Sequence, residues 1–460
     1  MKQILVTFIA LFTFIATNAQ QPQSNADTSS LLQAFKKGQV HGQLRYYFMA
    51  TDNNAGLTDY FANAAGAALK YETAPFLGFQ LGIGGSMIYN IGSSDLTKPD
   101  PATKQPNRYE IGLFDIENPA RKTDIIKTEE LYLSYKWKSS KVIFGKQFIN
   151  TPFINLQDGR MRPNTVEGIW ANINDIKKTK IETGFLYSLS PRSTTNWFNT
   201  GESIGLYPTG IHTDGTKSGY AGNLSSKGIG LVGITYTPAK NISLTGWEVW
   251  VENIFNTALL QADFKIPIAN KSKLVSGFQY IRQDAINDGG NPDPVNAYFP
   301  KGGKAQVLGA KAGWENNRWQ TSFNFTRITA DGRYLMPREW GREPFYTFMP
   351  RERNDGFGDV NAYVVKVGYS LPKLNLKTQA GFGYFDLPDI NNYALNKYGM
   401  PSYTQLNLDA RYSFKGFLQG MDLQLLYVYK GKSGNTYGND KYVINKVNMS
   451  LYNIVLNYSF

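Results

Sequence analysis

The sequence has 460 residues and a formal net charge of +12, with 42% hydrophobic but only 18% charged residues. It has no cysteine and two histidines, which excludes disulfide frameworks, thiolate metal sites and a lipid-modified N-terminal cysteine. Histidine-rich metal sites and conventional Ser/His or Cys/His catalysis are left almost no residues to use, and neither a cofactor nor a metal is expected. A mean hydropathy of −0.36 argues against a helical membrane protein. Together with 44 Gly, 29 Tyr and 28 Phe, it suits a barrel that hides a polar lumen behind an apolar outer band. Lys and Arg are scattered along the chain rather than clustered, so the charge reads as a basic lumen or basic loops, with no nucleic-acid partner.

The chain opens with Lys2, an apolar run from Ile4 to Ala16, and the small residue Ala19 before Gln20-Gln21-Pro22. This is the layout of a secretory signal peptide over 1–19. Residues 20–36 read as a polar leader with a helical turn around Leu31 to Phe35, and 37–460 as one domain. The first strand alternates Leu44, Tyr46 and Phe48 with Gln43, Arg45 and Tyr47. Alternation of period two places such sets on opposite faces of a strand. Weaker strands follow near 62–73 and 76–90. Leu131, Leu133, Tyr135 and Trp137 then alternate with Tyr132, Ser134 and Lys136. Further strands fall near 141–149, 165–174, 179–189, 227–237, 241–251, 254–266, 272–283 and 304–314. Trp319, Thr321, Phe323 and Phe325 alternate with Arg318, Gln320, Ser322 and Asn324, and the segments 363–370 and 373–384 repeat the pattern. The clearest case puts Leu406, Leu408, Ala410, Tyr412 and Phe414 on one face and Gln405, Asn407, Asp409, Arg411 and Ser413 on the other. After a strand near 419–430, the chain ends on Tyr452, Ile454, Leu456, Tyr458 and Phe460 at alternate positions.

No apolar segment after residue 20 is long enough for a transmembrane helix, which leaves a closed barrel as the way to span a bilayer. The count is about 18 strands, all-β and antiparallel. Short turns such as Thr73-Ala74-Pro75 and Leu371-Pro372 largely alternate with long Gly/Pro/Asn-rich connections near 91–126, 150–165, 190–226, 284–303, 330–358, 386–402 and 431–441. One rim of turns and one of loops is the pattern of an outer-membrane barrel, with both termini on the periplasmic side. Tyr46, Trp137, Trp319, Tyr412 and Tyr458 are candidates for the interfacial aromatic girdles. The loop charges Asp158, Arg160 and Arg162 either select ions or hold their loop against the wall. The strand residues Arg45, Lys136, Lys366, Lys377 and Arg411, with the aromatics Tyr47 and Tyr132, point inward by parity.

The block Lys127 to Trp170 carries Glu130-Leu131-Tyr132, Gly145-Lys146-Gln147, Asn150-Thr151-Pro152, Asp158-Gly159-Arg160-Met161 and Pro163-Asn164-Thr165 before Glu167-Gly168. This block and the strand Gly42–Phe48 resemble the OprD-like family of outer-membrane porins, in its Bacteroidetes version. The resemblance implies passive, partly selective diffusion of small hydrophilic, carboxylate-bearing solutes such as amino acids or small organic acids. It also implies a monomer or loose trimer narrowed by an inward-folded third loop. On this reading the 150–165 loop, with Asp158, Arg160 and Arg162, forms the constriction, and terminal Phe460 is the signal read by the barrel-assembly machinery. The barrel's surroundings would be the lipid bilayer and lipopolysaccharide. The competing readings are a structural or partner-binding barrel with a closed lumen, and a lipase-type outer-membrane enzyme.

Overall fold

In the computed structural model of the chain, residues 27–157 and 160–460 are described; the segment expected to be a signal peptide, 1–19, and Asp158 lie outside them. A short helix, α1 (Leu31–Lys36), is capped by Ser30, whose side chain accepts the Gln33 amide. The first strands are β1 (Gln39–Asp52), β2 (Tyr60–Glu72), β3 (Phe79–Ser93), β4 (Ile125–Trp137) and β5 (Ser140–Gln147). Next come β6 (Thr165–Ile173), β7 (Thr179–Ser190), the two-residue β8 (Phe198–Asn199), β9 (Ile229–Ala239) and β10 (Ile242–Val251). They are followed by β11 (Phe255–Pro267), β12 (Lys273–Ala285), β13 (Lys304–Glu315), β14 (Trp319–Ile328) and β15 (Val360–Leu371). The last four are β16 (Leu376–Asp386), β17 (Tyr403–Ser413), β18 (Met421–Lys432) and β19 (Met449–Ser459).

Each long strand pairs antiparallel with its neighbours, and β19 closes on β1 from Gln43↔Ser459 to Asp52↔Ser450. The short β8 adds only two residue pairs to β7, which bonds directly to β9, so the closed ring has 18 strands. Closure leaves no edge whose amides would face hydrocarbon. One rim carries turns of a few residues. The other carries nine connections, of which 53–59 and 252–254 are short. The 252–254 connection departs from the expected alternation: Glu252-Asn253-Ile254 is a tight hairpin, with Asn253 at φ +65°.

The parity read from sequence holds along the walls. Leu408, Phe382, Phe323 and Leu131 stand on the outside, while Tyr47, Met49, Tyr132, Gln405 and Asn453 are buried within. One irregularity is not visible from alternation. The β3–β4 register slips between Gly84 and Gly85, so Gly84 faces Glu130 and Gly85 faces Thr128. Glu129 is the extra, bulged residue, and both consecutive carboxylates, Glu129 and Glu130, become buried on the inner side.

The inside is not empty. Loops 3 (148–164), 4 (191–228) and 7 (329–359) pack Phe153, Ile154, Ile204, Tyr334, Trp340, Phe345, Met349 and Phe357 against inward residues of β6 to β15 such as Trp170, Trp247, Leu259 and Val364. Each fully buried Phe or Met of this kind stabilises by roughly 1.5–3 kcal/mol. A smaller core joins Tyr109, Leu113 and Phe114 of loop 2 (94–124) and Met161 of loop 3 to β1, β2, β18 and β19.

At the closure seam Gly42 and Phe460 exchange both backbone hydrogen bonds, at 2.9 and 3.1 Å. A Cβ on Gly42 would sit 2.1 Å from the Phe460 ring, so the terminal aromatic lies flat on a residue without a side chain. Gly42→Leu should displace that ring and cost about 1–3 kcal/mol, as overpacking does. The expected result is a lower midpoint for the heat-induced gel shift of the folded barrel, with Phe460→Ala in the Gly42→Leu background adding little further loss.

Candidate functional site: the lumen constriction

Loop 3 leaves the short β5 and turns inward, where it is fastened from two sides. Arg162 Nε donates to Glu129 Oε1 at 2.7 Å, and its NH1 donates to Gln43 Oε1 at 2.7 Å. Ser86 Oγ donates to the same Glu129 oxygen at 2.7 Å. The bulge in β4 is therefore what presents the carboxylate that holds Arg162. Arg45 donates to Asn457 at 2.7 Å across the closure seam, and to the carbonyls of Arg160 and Met161 at 2.6 and 3.2 Å. Arg160 is buried, with φ +50°, and its side chain packs over Gly112 of loop 2. The structure thus brings Arg45, Arg160 and Arg162 together, with Arg45 and Arg162 serving as clamps on the loop backbone and the wall.

Loop 7 meets loop 3 in the lumen. Asn155 and Asn164 both bond the Trp340 carbonyl, at 3.0 and 2.8 Å, and the Asn155 amide donates to Arg342 O at 2.9 Å. Behind this contact lies a buried ionic hub. Glu352 receives Arg108 at 2.9 and 3.1 Å and Lys430 at 2.8 Å. Lys430 is wholly buried and also donates to Tyr109 Oη at 2.7 Å. Burial alone would raise the Glu352 carboxyl, but Arg108, Lys430 and Arg338 hold it well below the usual carboxylate range. Arg351 reaches Tyr47 Oη at 2.5 Å and Asn453 at 2.8 Å, and Arg338 pairs with Asp355 at 3.0 Å. Tyr47, inward by parity, is therefore a wall partner of loop 7.

Below the loop 7 tip, toward the turn rim, sits a second group that stays half-exposed to the lumen. Lys366 Nζ donates to the carbonyls of Tyr346 and Phe348 at 2.8 and 3.0 Å. Lys311 lies 4.4 Å over the Tyr346 ring and pairs with Asp263 at 3.0 Å, and Tyr346 Oη donates to that same carboxylate oxygen at 3.0 Å. Arg342 stacks 4.6 Å over Phe348. Three cations thus gather about the two rings at the loop tip, and one of them, Lys311, is paired with the carboxylate of Asp263. Farther down the wall, Tyr132 donates to Glu72 at 2.9 Å beside the Lys70–Glu130 pair at 2.9 Å. Lys136, Lys377 and Arg411 are exposed near the turn rim, with Arg411 on Asp409 at 2.8 Å. They are not brought into the loop constriction.

The sequence reading missed Glu129, Arg108, Glu352, Lys430, Lys311 and Arg342. A signal existed for two groups of these. Lys430 shares inward parity with Gln424 in β18, and the 330–358 connection carries Arg333, Arg338, Arg342, Arg351 and Arg353. Nothing in a single sequence tells that this connection folds inward rather than out, and the pairing of Arg108 with Glu352 links positions 244 apart.

At the loop rim, Lys397 of loop 8 (387–402) donates to Tyr220 Oη of loop 4 at 3.0 Å. It lies 4.5, 4.8 and 5.5 Å from the rings of Tyr220, Tyr298 and Tyr398. Its amide donates to Gly356 O of loop 7 at 3.0 Å. Burial, with Arg333 close by, brings this ammonium down to about 7. Burial and the neighbouring Arg108 do the same to Lys446 of loop 9 (433–448), down to about 7. Burial and then Asp355 push the Glu343 carboxyl up.

A barrel of 18 strands, narrowed by inward loops that bear charge, is the geometry against which known proteins can be compared. The model of the outer membrane porin, OprD family, matches residues 108–336. No curated protein sequence matches the chain. Among solved structures, Pseudomonas aeruginosa OccK9 (OpdG) superposes with a TM-score of 0.72 at 14% identity, over 93% of this chain and 99% of that one. Acinetobacter baumannii OccAB1 gives 0.71 at 13% identity, over 95% and 99%. Pseudomonas aeruginosa OpdK, solved with vanillate, gives 0.70 at 12% identity, over 93% and 99%. At such identities these structures speak for the fold alone, while the family match runs from loop 2 through loops 3 and 4 into the start of loop 7. The chain belongs to the OprD family of outer-membrane porins.

Proposed function

We propose that the barrel passively conducts small carboxylate-bearing solutes, such as amino acids or small organic acids, with the turn rim and both termini in the periplasm. The observation that carries this reading is the group of Lys311, Arg342 and Lys366 about the loop 7 tip, partly exposed to the lumen, in which Lys311 alone is paired with a carboxylate, Asp263. Arginine and lysine at short range draw a carboxylate in, and partial neutralisation by Asp263 keeps binding weak enough for exit. The vanillate in the OpdK structure is an aromatic carboxylate, which agrees with this chemistry. A barrel closed to solutes is the second reading, supported by the apolar core that loops 3, 4 and 7 build inside the ring. Planar-bilayer recordings separate the two, since a closed barrel gives no unitary current.

Selectivity is tested by Lys366→Gln with Arg342→Gln. The pair should lower anion preference in reversal-potential measurements and slow swelling of liposomes in small carboxylates severalfold, with neutral sugars little affected. An unchanged reversal potential would remove the cluster from the solute path.

Arg162→Ala should behave differently. It leaves Glu129 buried without its main cationic partner and frees one side of loop 3. Larger and noisier single-channel currents are expected, with Glu129→Gln giving the same noise; a quiet channel of altered selectivity would instead make Arg162 a selecting residue.

The pH dependence has a definite sign. Lys397 and Lys446 are charged below about 7 and neutral above it, and the raised Glu343 becomes negative over a higher range than an ordinary carboxyl. All three make the loop region less positive as pH rises. Anion preference should therefore fall between pH 6 and pH 8, and Lys397→Met with Lys446→Met should flatten that slope.

A further inference from the structure

The helix α1 is tied firmly to the barrel yet leaves its apolar side chains uncovered. Thr28 donates its amide to Pro75 O at 2.8 Å, Ala74 donates to Ala34 O at 3.0 Å, and Gly78 donates to Asp27 Oδ1 at 3.1 Å. These bonds fix the segment to the β2–β3 turn. Ala34 alone is buried, while Leu31, Leu32 and Phe35 are 59%, 64% and 47% exposed. Holding three large apolar groups in water would cost free energy with no return, since about 25 cal/mol is lost per Å² left wet.

The placement of the helix says what covers it. Tyr71, on the outward face of β2, donates its hydroxyl to Phe35 O at 2.5 Å, and a Cβ on Gly38 would meet the Tyr71 ring. The segment therefore crosses the outer, lipid-facing side of the wall rather than the mouth of the lumen. Its exposed side chains continue the lipid-facing surface of Leu77 and Phe79 next to it. The same level around the rim carries Ile176, Ile268, Leu374 and Phe417, all exposed, with Phe417 fully so. Lys36 lies in the last turn of the helix, exposed, where an anionic headgroup would pair with it, whereas Lys37 lines the lumen mouth with Gln39, His41 and Glu72.

We propose that α1 is an interfacial foot: Leu31, Leu32 and Phe35 insert into the headgroup–acyl boundary of the phospholipid leaflet at the turn rim, and Lys36 lies among anionic headgroups. Amphipathic segments of this kind sit in the interface plane with the apolar side a few ångströms deep. The occupant is the bilayer that already surrounds the barrel, because the patch is continuous with the wall that the bilayer covers.

The absence of native cysteine makes the test direct. The full chain carrying Leu32→Cys, and separately Phe35→Cys, is spin-labelled and reconstituted in phosphatidylethanolamine–phosphatidylglycerol vesicles. Tyr437→Cys, at an exposed loop tip, is the aqueous reference. Barrel formation is checked for each by the heat-induced gel shift. The label at 32 and 35 is expected to collide more with oxygen than with a water-soluble nickel complex, the reverse of position 437. Lys36→Gln should make the label shallower by a measurable shift in that ratio, and Lys37→Gln should leave it unchanged. Collision with nickel as frequent as at 437 would overturn the proposal, because the helix would then stand in water. An immobilised label shielded from both reagents would overturn it as well, in favour of a protein partner or a second copy on this face.

Discussion

A peptide amide left without a partner in hydrocarbon costs several kcal/mol, and in a chain whose described residues hold no helix long and apolar enough to cross a membrane that cost can be avoided only by a ring. The pairing of β1 with β19 satisfies it. Everything else inherits its position from that closure. Once the ring is shut, each strand has one face on lipid and one on the lumen, and the side chain of every residue is assigned by parity. Arg45, Tyr47 and Asn453, from the first and last strands, stand side by side only because the seam aligns them.

Closure also sets what the loops must do. A ring of this size is too wide to be filled by its own wall side chains, so loops 3, 4 and 7 descend and build a core of their own against one arc. Loop 2 builds the smaller core on the other arc. Charged groups collect between the two, where apolar packing is absent and partners of opposite sign are within reach. Buried charges such as Lys430 and Glu352 are tolerated there because each is bonded several times.

Much of this architecture was legible in the sequence. Period-two alternation in 405–414 and 452–460 locates strands and faces, because a wall between lipid and water imposes two environments at a spacing of one residue. Arg45, Lys366 and Tyr47 face the lumen for the same reason. The rest was not legible because it depends on contacts between distant segments. Alternation fails at Glu129, where a bulge resets the phase. It is silent on Arg108 and Arg342, which lie in connections without period. The hairpin at 252–254 shows that loop length on that rim is a tendency of the fold, not a rule. Arg162, read either as a selector or as an anchor, has an anchor's partners in Glu129 and Gln43.

The cage around Lys397 bears on how the exposed surface changes over generations. Tyr220, Tyr298, Tyr398 and Gly356 belong to four different loops, yet all meet at one residue, the three rings at its ammonium and Gly356 at its backbone amide. Loops on a barrel rim are usually free to vary one at a time while the wall is left alone. Here a change in any of the four is felt by the other three. Substitutions at exposed tips such as Tyr437 and Val295, which lie outside the cage, leave it untouched, whereas one inside it has to be matched by its partners.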